Sequence, residues 1–471
     1  MDMKNIRQVA DFIDEKAIEA ILEQTRKTPI EELMDIIGKA ERAEGLTPEE
    51  AAKLLNSEEP EVLQRMYQAA HKIKEKIYGK RVVIFAPLYI SNYCVNTCKY
   101  CGYSLNNSIP RRKLTMEDII EEVKVLEAMG HKRIALEVGE DPSNCGIDYV
   151  VDAIKTIYSI NFENGSIRRI NVNIAATTVE EYKKLKSADI GTYILFQETY
   201  HRETYETMHP KGPKHDYDYH TTAFDRAMEA GIDDVGAGVL FGLYDYKFEV
   251  LALLFHSLHL EEKFGCGPHT MSVPRLKPAE GMNPADYPYM VNDADFKKIV
   301  AILRLTVPYT GIILSTRENA AIRDEVINYG VSQISAGSCT GVGGYKDEYS
   351  YEVPNKTAQF TVEDHRSPDE IIQSLCRSGY IPSYCTACYR QGRVGDRFMQ
   401  LAKSGNIQNI CQPNAILTFE EYLQDYASEE TKKLGEETIA RQLEEIKNEK
   451  VKELTKERLE EIKKGKRDLY L

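Results

Sequence analysis

Between residues 81 and 336 the sequence switches eight times from a short apolar or β-branched run to a longer amphipathic one. The spacing predicts strands over 82–90, 134–140, 170–176, 193–198, 235–242, 270–276, 312–316 and 333–336. Helices are expected between them, for instance over 115–129, 179–186, 221–230 and 295–307. Parallel strands joined by helices must bury both faces of their sheet, and eight such steps close into an α/β fold, the (β/α)8 barrel of TIM type. The loops that follow the strands then form the working face.

The unusual residues of this stretch fall at those loops. Cys94 follows the first strand, Gly139-Glu140-Asp141 the second, Glu198 the fourth, Gly242 the fifth, Arg275 the sixth, Arg317 the seventh and Ser335-Ala336-Gly337 the eighth. Polar residues gather at strand ends in any barrel, but recurrence over most of the eight loops points to a site. Residues 1–80 read as a helical extension, with apolar residues at helical spacing over 11–27 and 61–78 and a capping start at Thr47-Pro48-Glu49-Glu50. The barrel is expected over 81–345. Residues 346–471 form a C-terminal part with three cysteines, mostly helical, ending in a charged helical tail from 419.

Composition narrows the function. A net charge of −14 argues against a nucleic-acid partner, since phosphate binding needs clustered Lys and Arg, and the one strongly basic stretch, 463–467, lies at the C-terminal end. No uncharged apolar run is long enough to span a bilayer, so a cytoplasmic protein without a membrane partner is expected. The ten cysteines of such a chain should be reduced, and close Cys spacing should mean metal rather than disulfide.

Cys94, Cys98 and Cys101 put three thiols into one short loop. Three thiolates can hold three irons of a 4Fe–4S cubane and leave the fourth open to a substrate, whereas structural zinc would want a fourth Cys or His that the loop does not supply. A second set, Cys385, Cys388 and Cys411, lies beyond the barrel; its CxxC spacing by itself is equally that of a zinc, redox or cluster site. Cys145, Cys266, Cys339 and Cys376 are isolated and read as small packed residues.

A CxxxCxxC triplet with an aromatic residue, Tyr100, before its last cysteine, at the end of the first strand of such a barrel, resembles the radical S-adenosylmethionine (SAM) superfamily. The resemblance implies that the open iron chelates the amino and carboxylate groups of SAM, and that the reduced cluster cleaves it to a 5′-deoxyadenosyl radical. It also implies cofactor contacts from Tyr100, from Gly139 and Glu140 in a Val-Gly-Glu form of the family's Gly-rich motif, and from Glu198 and Arg226. Arg226 could equally be a surface charge on its helix.

The run 383–399 with Cys411 is similar to the C-terminal motif of the tyrosine-cleaving maturases of FeFe-hydrogenase, within the same superfamily. This second resemblance implies that Cys385, Cys388 and Cys411 hold an auxiliary 4Fe–4S cluster, with His269 helping to hold an extra iron, a satisfied structural histidine being the other role open to it. The implied reaction cleaves L-tyrosine to p-cresol and dehydroglycine, which the auxiliary cluster converts to carbon monoxide and cyanide for the hydrogenase iron unit. Cysteine, an electron donor and other hydrogenase maturation proteins are the implied partners. Arg317 could grip the tyrosine carboxylate and Ser335 add a hydrogen bond, with an ordinary strand-end ion pair as the other role open to Arg317. A thiazole-type tyrosine lyase or another radical SAM enzyme is the alternative activity, and a cluster carrier without catalysis the remaining class.

Overall fold

Eight parallel strands close into a barrel in the computed structural model, which describes residues 8–163, 165–277, 282–350 and 356–471. They are β1 (Arg81–Ser91), β2 (Arg133–Val138), β3 (Arg169–Asn173), β4 (Tyr193–Glu198), β5 (Val235–Val239), β6 (Thr270–Ser272), β7 (Gly311–Leu314) and β8 (Val331–Ser335). Neighbours pair in chain order, and β1 closes the ring by pairing with both β2 and β8. The (β/α)8 architecture is therefore the one the alternation predicts, with helices such as Met116–Ala128, Val179–Ser187 and Asp293–Thr306 between strands.

Three strands end earlier than their apolar runs. β3 stops at Asn173, β5 at Val239 and β6 at Ser272. Beyond β5 and β6 a lone parallel bridge between Phe241 and Arg275 continues the pairing. Pro274 lacks an amide donor and interrupts the ladder there, and Gly242 turns away at φ 120°. The helix expected over 221–230 is also broken, into Tyr217–Thr221 and Ala223–Glu229.

A ninth strand, β9 (Ile381–Ser383), was not legible as a strand because it is three residues long with Pro at its centre. Its cause lies in β1, whose eleven residues reach below the ring and leave backbone groups to be paired. β9 pairs parallel to that overhang, Arg81 opposite Ile381 and Val83 opposite Ser383. This delivers Cys385 to the lower end of the barrel.

Helices Glu15–Gln24, Ile30–Ala40, Pro48–Asn56 and Pro60–Tyr78 precede the barrel; of the stretch expected to be helical, residues 1–7 lie outside the described residues. Thr47 and Glu50 form the expected capping box. At the other end, helix Gln408–Asp425 is buried from Pro413 to Leu423, and Glu421 on it pairs with Arg168 at 2.7 Å. Helices Glu429–Glu444 and Glu449–Lys463 pack on it and carry the charged tail. Among the described residues no helix is long and apolar enough to cross a membrane.

A buried ion pair fixes the end of β8. Arg323 bonds Asp364 and the carbonyl of Ser335, and both charged side chains are about 1% exposed. Removing one partner of such a pair strands the other charge at a cost of about 3–5 kcal/mol. Asp364→Ala is thus expected to lower the melting temperature clearly, while exchange of the exposed Glu429, which pairs only within its own helix, should leave it unchanged within error; calorimetry of the two variants checks this.

Candidate active site

The loop after β1 has no regular structure of its own and is held by other loops. Val95 N donates to Glu140 O at 2.8 Å, Thr97 N to Lys211 O at 3.1 Å, Lys99 N to Met208 O at 3.0 Å and Gly102 N to Gln359 O at 3.3 Å. Gly139 lets the loop after β2 come close as well: a Cβ there would lie 2.4 Å from the carbonyl oxygen of Tyr93. The result is a cavity in the upper mouth, with Cys94, Cys98 and Cys101 on its wall.

The three thiols make no disulfide, and amide groups point at two of them, Asn96 Nδ2 at Cys94 Sγ and Gln359 Nε2 at Cys101 Sγ, both 3.7 Å. Burial raises the Cys98 and Cys101 thiols, the latter to about 11. Buried soft donors with amide groups pointing at sulfur are a fitting set for an iron–sulfur cluster. Among the described residues no three His, Cys, Asp or Glu side chains converge on a single-ion position; a cubane, which gives each thiolate its own iron, needs no such point.

Beside the thiols runs a charged network. Asn96 Nδ2 donates to Glu140 Oε2 at 2.5 Å, Asn96 Oδ1 accepts from Lys214 N at 3.0 Å, and Lys214 Nζ stands 2.8 Å from Glu198 Oε1. Burial alone would depress Lys214, but the charges of Glu198 and Cys98 outweigh it and raise its pKa. Glu198 holds φ at +68°, a region that a non-glycine residue occupies at a cost of order 1–3 kcal/mol, as residues at functional sites do. Tyr100 is buried with its hydroxyl 2.8 Å from His209 Nε2. Arg226 is elsewhere: its guanidinium donates to Thr177 O, Thr222 Oγ1 and Tyr219 O and stacks on Tyr219, so it is not among the residues lining the cavity.

Deeper in the barrel the cavity meets Arg317 and Ser335. Arg317 lies over the Phe360 ring at 3.5 Å and its buried Nε has no partner. Ser335 Oγ accepts from Thr316 N at 3.1 Å, which ties the end of β8 to the loop that carries Arg317. Glu137 of β2 and Asn173 of β3 face the same space. Sequence reading missed Lys214, Glu137 and Asn96; the first two stand alone without a motif, while Asn96 lies inside the cysteine triplet and was readable there.

At the lower mouth a second, smaller cavity gathers Cys385, Cys388, Cys411 and His269 with Arg81, Arg133 and Arg393. Sharing of a proton between Cys388 and Cys411 holds the Cys411 thiol below its usual range and the Cys388 thiol above it. Burial is opposed at Arg81 by Cys411, Cys385 and Cys388, and its pKa is raised. His269 Nδ1 is buried without a hydrogen-bond partner, 3.6 Å from Asp234 Oδ1, and Arg393 Nε and Asp234 Oδ2 are likewise unpartnered. Three thiols, an orphaned imidazole and surrounding guanidinium groups suit a buried anionic cluster. The sequence thus scatters one set of donors over residues 269–411, and β9 brings them together.

The family model of the radical SAM superfamily matches residues 88–255, and that of the biotin and thiamin synthesis associated domain matches 272–381. The 2-iminoacetate synthase of Escherichia coli (strain K12) is 32% identical over 363 residues, 77% of this chain and 93% of that one. A crystal structure of HydG, a maturase of the FeFe-hydrogenase, superposes with a TM-score of 0.95 at 63% identity, covering 98% of this chain and 100% of its own. The X-ray structure of the FeFe-hydrogenase maturase HydG from Carboxydothermus hydrogenoformans gives 0.82 at 41% identity, covering 96% and 99%. The radical SAM domain carries with it SAM and a 4Fe–4S cluster, and the chain belongs to the HydG family of radical SAM enzymes.

Proposed function

We propose that this chain is a tyrosine lyase of FeFe-hydrogenase maturation: it cleaves L-tyrosine to p-cresol and dehydroglycine, and the latter becomes carbon monoxide and cyanide for the hydrogenase iron unit. The observation that carries this reading is the presence of two thiol sets at opposite mouths of one barrel. A relative named for making 2-iminoacetate, which is dehydroglycine under another name, agrees with it. So do maturase relatives whose match spans nearly the whole chain, C-terminal thiol segment included.

In this reading Cys94, Cys98 and Cys101 hold the SAM-binding cluster, which with SAM supplies the 5′-deoxyadenosyl radical, and Cys385, Cys388 and Cys411 with His269 hold the auxiliary cluster and an extra iron, which supply the later chemistry. Gly139 lines the same wall, and its carbonyl oxygen, which already takes the Cys145 thiol, has a second lone pair for the SAM amino group. Tyr100, Glu140 and Glu198 line the SAM side, and Lys214, which lines it too, offers a cation for a carboxylate there, whereas the guanidinium of Arg226 is held by Thr177, Thr222 and Tyr219 beside it. Arg317 grips the tyrosine carboxylate with its planar fork and Ser335 donates its hydroxyl proton to it. The upper cavity reaches Phe85 on β1 and the lower one reaches Val83, two residues away, so a small diffusing product has a short path between them. Cysteine, an electron donor and other maturation proteins complete the set of partners. A thiazole-type lyase would leave the lower mouth without a role.

Arg317→Lys is expected to weaken tyrosine binding while uncoupled SAM cleavage stays detectable, because Lys keeps the charge and loses the two-pronged contact. A charged hydrogen bond of this kind is worth about 1.5–3 kcal/mol, or roughly ten- to a hundred-fold in affinity. The check is the tyrosine dependence of p-cresol formation in wild type and variant. An unchanged dependence would put the carboxylate elsewhere.

A further inference from the structure

Among the described residues three carboxylates reach the upper cavity, and one of them is neutralised by a cation. Glu140 takes the amide of Asn96, and Glu198 takes the ammonium of Lys214. The third, Glu137, stands in the middle of the inward layer, opposite Tyr89 of β1 and Asn173 of β3 in strand register, and its carboxyl shares a hydrogen bond with the Asn173 amide. It is in no ion pair of the described residues, and the surface it leaves open faces the cavity rather than solvent. Arg317 shares that space, so a cation suited to a carboxylate and a carboxyl group with no cation of its own face one volume, the pair of groups that a receptor for an amino acid needs.

We infer that Glu137 contacts the amino group of the substrate and is the base that accepts its proton. The inference rests on the tyrosine-lyase reading. In that reading a hydrogen atom leaves the amino nitrogen, and an amine gives one up more readily than an ammonium, whose nitrogen carries no lone pair to stabilise the radical formed. The step is a proton transfer alone: one N–H bond breaks with both its electrons staying on nitrogen, an O–H bond forms on Glu137, and nothing is oxidised or reduced. Burial, partly offset by Asn173 and by the charge of Arg317, pushes the Glu137 carboxyl up to about 8, toward the range in which α-amino groups titrate. The other ionisable groups facing it are Tyr89 and Tyr103, both raised by burial and hence neutral, and the charged Arg317.

The test compares the full-length reconstituted protein with Glu137→Gln and Glu137→Asp, using L-tyrosine and its des-amino analogue 3-(4-hydroxyphenyl)propionate. Equilibrium binding should show wild type preferring tyrosine by roughly ten-fold or more, the worth of a charged hydrogen bond. In Glu137→Gln that preference should collapse while the analogue binds as before, and Glu137→Asp should restore part of it. The rate of p-cresol formation should rise with pH through about 8 in wild type, as the base loses its proton, and Glu137→Gln should be slower by roughly 10²–10⁴ without that rise. Retained preference for tyrosine in Glu137→Gln, or an unaltered pH profile, overturns the inference and leaves the lyase reading standing. Equal loss of both ligands overturns it too, because a group facing only the amino nitrogen cannot act on a ligand that lacks one. No p-cresol from wild type removes both.

Discussion

Cys98→Ala is expected to abolish SAM cleavage, with 5′-deoxyadenosine per enzyme falling to the background of the unreconstituted protein. Cys98 is buried beside Tyr100 on the wall of the upper cavity, and with Cys94 and Cys101 it makes the full complement of thiols there. A cubane with three protein ligands has one open iron by design; with two it has no fixed site for SAM and is readily lost. The fold should survive, since the loop is held by backbone hydrogen bonds from Val95, Thr97 and Lys99 rather than by the thiol. Wild-type turnover in this variant would contradict the assignment of the upper thiols.

The double replacement of Cys385 and Cys388 by Ser separates the two mouths. Tyrosine cleavage to p-cresol should persist, because the upper thiols, Arg317 and Ser335 are untouched. Carbon monoxide should fall to near nothing, because in the proposed reading the cluster held by these thiols is what takes dehydroglycine further. If these thiols instead bind a structural metal, their loss should unfold the segment and depress every activity together. Segment and barrel are linked independently of the thiols by the pairing of β9 with β1 and by Arg133 Nη1 donating to Cys385 O at 3.2 Å, so p-cresol production is not expected to follow carbon monoxide down. p-Cresol, haem-trapped carbon monoxide and protein-bound iron measured on one anaerobic reaction decide it; an unchanged ratio of the two products would place diatomic formation elsewhere.

How far the sequence carries follows from how local each feature is. The eight-fold alternation and the Cys94–Cys98–Cys101 loop are local patterns, and both the barrel and the shared cavity wall could be read from them. Strand ends at Asn173, Val239 and Ser272 could not, because apolar residues continue past the last ladder hydrogen bond into the mouth. Nor could β9, whose three residues form a strand only because β1 overhangs the ring. The same non-locality hides charged partners: Lys214 reaches Glu198 through a loop with no recognisable motif, and Arg81 joins the lower thiols by tertiary approach alone. Arg226 illustrates the converse, a residue named by resemblance whose guanidinium is consumed by Thr177, Thr222 and Tyr219.

The most direct test is product analysis of the unaltered protein. Reconstituted anaerobically and incubated with SAM, dithionite and L-tyrosine, it should yield 5′-deoxyadenosine and p-cresol together by chromatography, with p-cresol absent when tyrosine is omitted. Formation of 5′-deoxyadenosine without p-cresol would mean a radical SAM enzyme acting on another substrate, and would contradict the assignment of this chain as a tyrosine lyase.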